Sequence, residues 1–133
     1  MIKKGILLFA ILVVTQISFS QFVDNFSDGD FTATPVWSGN NANYEVDASF
    51  MLHLNAPAVA DTSYLSTAST AINNATWEFY VQLNFNPSST NYAKVYLVAD
   101  QANLKNPLNG YFVKLGNTDD EVSLYTKRVL PKQ

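Results

Sequence analysis

Three aspartates and a glycine crowd the sequence FVDNFSDGDF, residues 22–31, in a chain of which only 14% of the residues are charged. Calcium binds several oxygen ligands, from carboxylates and backbone carbonyls, and tolerates irregular geometry. Asp24, Asp28 and Asp30 are therefore candidate ligands of a structural calcium ion. Gly29 would let the backbone turn so that a carbonyl also faces the ion. The same residue types equally suit a solvated turn that binds nothing.

Apart from these aspartates, the chain offers little catalytic chemistry. It contains no cysteine, which removes thiol nucleophiles and thiolate metal sites, and its single histidine, His53, lacks partners for a zinc site. Glycoside hydrolysis needs two carboxylates facing one cleft. The Glu-x-Asp-x-x-Glu spacing of sandwich glycosidases does not occur, and residues 119–121 are adjacent acids whose side chains point different ways. We therefore expect a protein without enzymatic activity.

Aromatic residues are the other candidate binding groups. Tyr80, Tyr96 and Phe112 each interrupt a run in which apolar residues recur at every second position. In an extended chain, these three side chains would face away from the predicted core. If their strands are neighbours, the rings form one patch, and an exposed aromatic patch marks a binding surface. Sugar-binding domains stack sugar rings on such faces, which predicts a glycan site. The alternative is that both faces of the sheet are buried.

The elements that would position these residues are β-strands. In residues 76–85, TWEFYVQLNF, apolar side chains alternate with polar ones at Trp77, Phe79, Val81, Leu83 and Phe85. Because successive side chains of a strand point to opposite faces, this pattern predicts a strand. Its length and aromatic content predict a central position in a sheet that packs against a second sheet. The sequence PSS that follows contains turn residues and ends the strand.

Shorter runs of the same kind indicate the class of the whole fold. They predict strands at residues 43–47, 49–55, 62–67, 91–100, 110–116 and 121–126. The first two form a predicted hairpin, and an Asn-rich loop and the turn NTDD separate the last three. Runs of this length and spacing are typical of antiparallel sandwiches. We therefore predict one all-β domain over residues 21–133, an antiparallel β-sandwich.

The first twenty residues predict a cleaved signal peptide. Lys3 and Lys4 precede the apolar run of residues 5–14, and small residues precede a predicted cleavage before Gln21. A spanning helix needs about 20 apolar residues, so we expect no membrane insertion after cleavage. Eight basic against eleven acidic residues give a net charge of −3, which argues against nucleic-acid binding. A secreted or outer-surface location follows.

Three stretches together, FSDGDF, WEFYVQLNFNPSS and NGYFVKLG, resemble the amino-terminal domain of large secreted proteins of Bacteroidetes. Those proteins carry lamin-tail domains and a type IX secretion sorting signal further along the chain. The resemblance covers residues 22–125. It implies a jelly roll of the concanavalin A or laminin-G type, several of which hold a structural calcium near the chain start. Such domains have more strands than this chain supplies.

The end of the sequence also bears on the fold. EVSLYT predicts a strand that requires a neighbour, and the following KRVLPKQ does not supply one. We therefore expect the sandwich to be incomplete at its carboxy-terminal end, either because the chain is the front part of a longer protein or because the reading frame breaks near Lys127. The resulting hypothesis is a non-catalytic extracellular recognition or adhesion module, with a glycan or a surface protein as its partner. One alternative is a purely structural spacer domain, and a second is a fragment of a glycoside hydrolase.

Overall fold

The structure, a computed structural model, describes residues 23–130, so the predicted signal peptide lies outside the described range. Within this range the chain forms three antiparallel sheets and one 3₁₀ turn at Asn41–Asn43, which confirms the all-β class. Residues 23–130 contain no helix with the length and hydropathy needed to cross a membrane. The strands are β1 (Ser38–Gly39), β2 (Tyr44–Val46), β3 (Leu52–Leu54), β4 (Leu65–Ser66), β5 (Ala93–Ala99), β6 (Gly110–Leu115) and β7 (Val122–Lys127).

The largest sheet is the meander β5–β6–β7, and it confirms the three strands predicted for this part of the sequence. Asp100 closes the connection between β5 and β6. Its Oδ1 accepts a hydrogen bond from the backbone N–H of Asn109 at 2.8 Å, and its Oδ2 accepts one from the Asn109 Nδ2 at 2.7 Å. At the β6–β7 connection, Gly116 has a φ of 95° and its N–H donates to the Glu121 carbonyl at 2.9 Å. These two connections fix the register of all three strands.

A bulge in β5 changes which side chains share a face of this sheet. Tyr96 pairs with Phe112, but Val98 pairs with Tyr111, so Leu97 is the extra residue between them. A residue inserted into one strand interrupts the alternation of side chains. Strict alternation would place Val98 on the same face as Tyr96. The bulge instead moves Val98 to the opposite face, beside Tyr111.

The predicted hairpin near the start of the fold is confirmed as β2 and β3, with Glu45 opposite His53. Asp47 holds the turn between the two strands. Its Oδ1 accepts hydrogen bonds from the backbone N–H groups of Ser49 at 2.8 Å and Met51 at 3.0 Å. An aspartate that bonds to the backbone a few residues further on is a common device of tight turns.

A third, very short sheet joins distant parts of the chain, β1 and β4, with Gly39 opposite Leu65. The N–H of Asn40 donates to the carbonyl of Tyr64 at 2.9 Å just beyond this pair. Gly39 has a φ of 153°, and a Cβ at this position would collide with the same Tyr64 carbonyl. The close approach of the two backbones therefore requires glycine here.

The strand predicted at residues 77–85 is wrong: the structure assigns no strand to this segment. Alternate side chains still share a side, since Tyr80 Oη donates to Gln82 Oε1 at 3.3 Å and Gln82 Nε2 donates to Asn84 Oδ1 at 2.7 Å. Alternation sets where side chains point, but a strand also needs a hydrogen-bonded neighbour. Within the described part of the chain, this segment makes no backbone-to-backbone hydrogen bond.

The described residues enclose little hydrophobic core. Leu108 and Phe112 are the buried hydrophobic residues of this part of the chain. The sequence predicts that the apolar face of the meander packs in the core. At β7 this face is exposed to solvent, since Val122 is 69% and Leu124 is 67% exposed. Packing of two sheets face to face is therefore not confirmed, and the sandwich and the jelly roll stay predictions.

Candidate binding surface

Three aromatic rings lie side by side across the β5–β6–β7 sheet. Tyr96 pairs with Phe112, and Phe112 pairs with Tyr125. Because directly paired residues share a face, their side chains meet. The ring centroids of Tyr96 and Phe112 are 5.1 Å apart with planes tilted by 38°, and those of Phe112 and Tyr125 are 5.3 Å apart and within 10° of parallel. We call these three residues the aromatic row.

The aromatic row contains two of the three residues predicted for the glycan patch, and it adds Tyr125. Sequence reasoning misses Tyr125 although its position carries the same signal. It follows Leu124 directly and is therefore out of phase with the apolar residues of its strand. What the sequence does not supply is the β6–β7 register, which places Tyr125 opposite Phe112.

The members of the row differ in how much of each side chain reaches solvent. Phe112 is only 8% exposed, so the expectation that it offers an open ring face is wrong. It is enclosed because one neighbouring ring lies on either side of it. Tyr125, at 39% exposed, is the most accessible ring of the row. Tyr96 is half-buried. This burial, and to a smaller extent the nearby Tyr92, raises the pKa of the Tyr96 hydroxyl. Tyr96 therefore keeps its proton as a hydrogen-bond donor.

Tyr80, the third residue predicted for the patch, is not part of the row. It lies on the segment without a strand, its side chain is 77% exposed, and its hydroxyl bonds to Gln82. None of the ring contacts among residues 23–130 involves Tyr80. The structure therefore separates it from the other two candidates.

Two lysines flank the aromatic row on the same face. Lys94 and Lys114 are direct partners across β5 and β6, two residues from Tyr96 and Phe112 respectively. The Lys94 Nζ lies 4.9 Å from the centroid of the Phe112 ring and 5.2 Å from that of Tyr92. The Lys114 Nζ lies 4.1 Å from the Tyr92 centroid. These distances are typical of cation–π contacts. We call these two residues the lysine pair.

The three candidate calcium ligands are engaged with their own neighbourhood. Asp24 accepts hydrogen bonds from the Phe26 N–H at 2.9 Å and the Trp37 Nε1 at 2.7 Å. Asp28 Oδ1 accepts from the Asp30 N–H at 3.1 Å. Within residues 23–130, no three acidic, histidine or cysteine side chains form a group that could hold a metal ion. The structure therefore does not bring the three aspartates together, and calcium binding stays a prediction.

Asp30 shows how these carboxylates are used instead. Its Oδ1 accepts hydrogen bonds from the backbone N–H of Thr32 at 2.7 Å and from the Thr32 hydroxyl at 2.8 Å. The backbone bond first, and then the hydroxyl bond, lower the pKa of this carboxyl. Hydrogen bonds to the charged form have this effect because they stabilise it without any cation. The segment therefore has the features of a turn held by aspartates.

A cleft of about 430 Å³ lies beside the β2–β3 hairpin, lined in part by Leu54, Pro57 and Phe85. Among the described residues that line it, the single carboxylate is that of Asp61. The Lys105 Nζ binds both oxygens of this carboxylate, at 3.0 and 3.1 Å, and these bonds lower its pKa. Hydrolysis of a glycoside needs a second carboxylate across the cleft. Among its described lining residues, the cleft shows no second acid to pair with Asp61.

Comparison with known proteins does not extend these observations. No family model matches the chain, and no curated protein or solved structure is significantly similar to it. The resemblance to secreted jelly-roll domains therefore stays an expectation from the quoted residues. The geometry of the meander carries the argument about function.

Proposed function

We propose that this chain is a non-catalytic recognition or adhesion module of a secreted or cell-surface protein, and that it binds a glycan at the aromatic row. The observation that carries the proposal is the side-by-side arrangement of Tyr96, Phe112 and Tyr125 on one sheet face. A rigid sheet holds such rings at fixed positions, so little side-chain freedom is lost on binding. Sugar rings stack on aromatic faces of this kind.

The half-exposed tyrosines suit a sugar better than a purely apolar ligand. Tyr125 and Tyr96 each combine a ring with a hydroxyl, and the buried Phe112 fixes the position of both. Aromatic groups with one wet end are common at binding surfaces because they offer contact area and a hydrogen bond together. The ring would face the carbon skeleton of a sugar, and the hydroxyl would bond to a sugar hydroxyl.

Two sequence features support the extracellular setting. The first twenty residues have the layout of a signal peptide. The resemblance to amino-terminal domains of secreted Bacteroidetes proteins, of the concanavalin A or laminin-G type, points the same way. Antiparallel sheets such as the meander are what a jelly roll of this type contains, which agrees with the proposal. In this setting the chain is part of a larger surface protein.

A purely structural spacer domain is the second candidate, and one observation favours it. Phe112 is one of the two buried hydrophobic residues among residues 23–130, so the aromatic row also acts as packing for a sheet with little other core in this range. In a spacer, the rings of the aromatic row would serve only to pack the sheet. The domain would then bind no glycan, with or without the Tyr125 ring.

The deciding experiment is a glycan array probed with the purified chain, followed by titration calorimetry on any hit. Tyr125→Ala removes the most accessible ring, and we expect it to weaken binding at least about tenfold. Tyr96→Ala is a second variant of the same row. Tyr111→Ala is the matched control, because Tyr111 is exposed on the same sheet but points to the opposite face.

The outcomes separate the two candidates. Binding that both row variants weaken and the control retains supports recognition, provided that circular dichroism shows all variants folded. No glycan signal from the folded wild-type chain refutes the proposed function and favours the spacer.

A further inference from the structure

The lysine pair suggests which glycans the surface selects. Lys94 and Lys114 are direct Cα partners, so both side chains project from the face that carries the aromatic row. Both ammonium groups lie within 5.2 Å of the centroid of the same Tyr92 ring. Both positive charges are therefore located around one ring, on the same face of the sheet. Like charges directly opposite each other on paired strands repel and destabilise the pair.

No carboxylate among residues 23–130 forms a salt bridge with either lysine. The close contacts between acidic and basic side chains in this range are His53 with Glu45 and Lys105 with Asp61, and neither involves the lysine pair. This is notable in a chain with more acidic than basic residues, since counterions are available in the sequence. The rings beneath the ammonium groups supply part of the compensation. A cation–π contact at an exposed site is worth only about 0.5–1 kcal/mol.

We infer that the lysine pair binds an anionic group, and that the ligand of this surface is an acidic glycan bearing carboxylate or sulfate. The inference rests on the proposed glycan binding and adds the substrate class. An anion bound by both lysines would reduce their repulsion and form charge-assisted hydrogen bonds, which are stronger than neutral ones.

Both features lie around one ring, that of Phe112. The Lys94 Nζ lies 4.9 Å from the centroid of this ring, and the centroid of the Tyr125 ring lies 5.3 Å from it. We therefore expect a sugar residue at Tyr125 and an acidic group at Lys94 to belong to one oligosaccharide. The aromatic contact supplies affinity for the sugar, and the lysine pair selects for the charge.

The test compares four polymers with the purified chain: a polyuronate, a sulfated polysaccharide, a neutral polysaccharide of similar length, and polyglutamate. We expect a charged polysaccharide to bind most tightly, with affinity that falls as NaCl is raised, because salt screens exposed charges. The polyuronate and sulfated arms show which anionic group is preferred. Polyglutamate tests whether charge without a sugar is sufficient, and equally tight binding to it would overturn the inference.

Charge-removing variants locate the effect. Lys94→Gln and Lys114→Gln should each weaken binding to the charged polysaccharide about tenfold, the loss expected for one charge-assisted contact. Lys105→Gln is the matched control, because it removes the same net charge from a lysine that is paired with Asp61 elsewhere. Equal losses in all three variants would show a net-charge effect and overturn the inference.

The failure of this inference is distinguishable from the failure of the proposed function. Binding of the neutral polysaccharide that needs Tyr125 but tolerates Lys94→Gln and Lys114→Gln overturns the anionic preference and leaves glycan recognition intact. Absence of binding to every polysaccharide overturns both. Thermal melts of the lysine variants serve as the folding control, and we expect them to stay close to the wild type because both substitutions also remove a like-charge repulsion.

Discussion

Replacing Phe112 by alanine tests whether the aromatic row also holds the meander together. Phe112 is 8% exposed and its ring contacts Tyr96 and Tyr125. Truncation of a buried phenylalanine to alanine costs about 3–5 kcal/mol, and each lost ring pair accounts for about 0.5–1.5 kcal/mol beyond area. The described surroundings form a single sheet whose rings can move into the space left by Phe112, so the lower end of this range applies. We expect Phe112→Ala to lower the free energy of unfolding by about 3 kcal/mol.

For a domain of slightly more than 100 residues, 1 kcal/mol shifts the melting temperature by about 4 °C. Phe112→Ala should therefore lower the midpoint of thermal unfolding by at least about 10 °C, measured by circular dichroism. Phe79→Ala is the matched control: the same atoms are removed from a side chain that is 43% exposed on the segment without a strand. Phe79→Ala should lower the free energy of unfolding by about 1 kcal/mol or less. Equal shifts for the two variants would refute the packing role of the row.

Three further predictions follow from single contacts. Gly39→Ala should lower the melting temperature more than Gly29→Ala: both glycines have positive φ, but the new Cβ meets the Tyr64 carbonyl at Gly39 and nothing within 4 Å at Gly29. Similar shifts in thermal melts would contradict the close approach of β1 and β4. The pKa of Asp61 is lowered by Lys105, so this pair contributes stability at neutral pH that is lost as the pH falls through the folded-state pKa. Asp61→Asn should therefore lower the melting temperature at pH 7, and its difference from the wild type should vanish in acid; a constant difference would contradict the linkage. Finally, excess EDTA tests the calcium prediction for the three aspartates: a bound cation requires the melting temperature to fall by several degrees, whereas an unchanged melting temperature would show that their hydrogen bonds hold the turn without one.

Most of the strands that the sequence predicts correctly have partners that are close along the chain. The exception is β4, which lies within the strand predicted at residues 62–67 and pairs with the distant β1. β2 and β3 are joined by a turn that Asp47 holds, and β5 to β7 follow one another as a meander. In such cases the alternation and the turn residues together specify both the strand and its neighbour. Residues 77–85 have clear alternation but no adjacent partner, and here the same reasoning fails. The pattern specifies the direction of the side chains and leaves the pairing open.

The candidate site shows the same limit at the level of single residues. The phase of Tyr96 and Phe112 predicts that each faces away from the apolar side of its strand, and the pairing of β5 with β6 brings their rings to 5.1 Å. The exposure of Phe112 was not predictable, because it depends on the flanking ring of Tyr125 and hence on the β6–β7 register. The aspartates show a related limit. Their spacing suits both a cation and a turn, and the sequence does not contain the positions of the backbone donors to which they bond.

The register of β5 and β6 also supports an anion-binding role for the lysine pair. The two strands carry the sequences KVY and FVK, which run in opposite directions when paired, so Lys94 meets Lys114 and Tyr96 meets Phe112. A slip of two residues would keep every side chain on its face and separate the lysines. The contacts of Asp100 and the bulge in β5 prevent this slip. The strands are therefore held in a register that places two like charges opposite each other. A bound anion would remove this repulsion, and the free energy gained would contribute to binding.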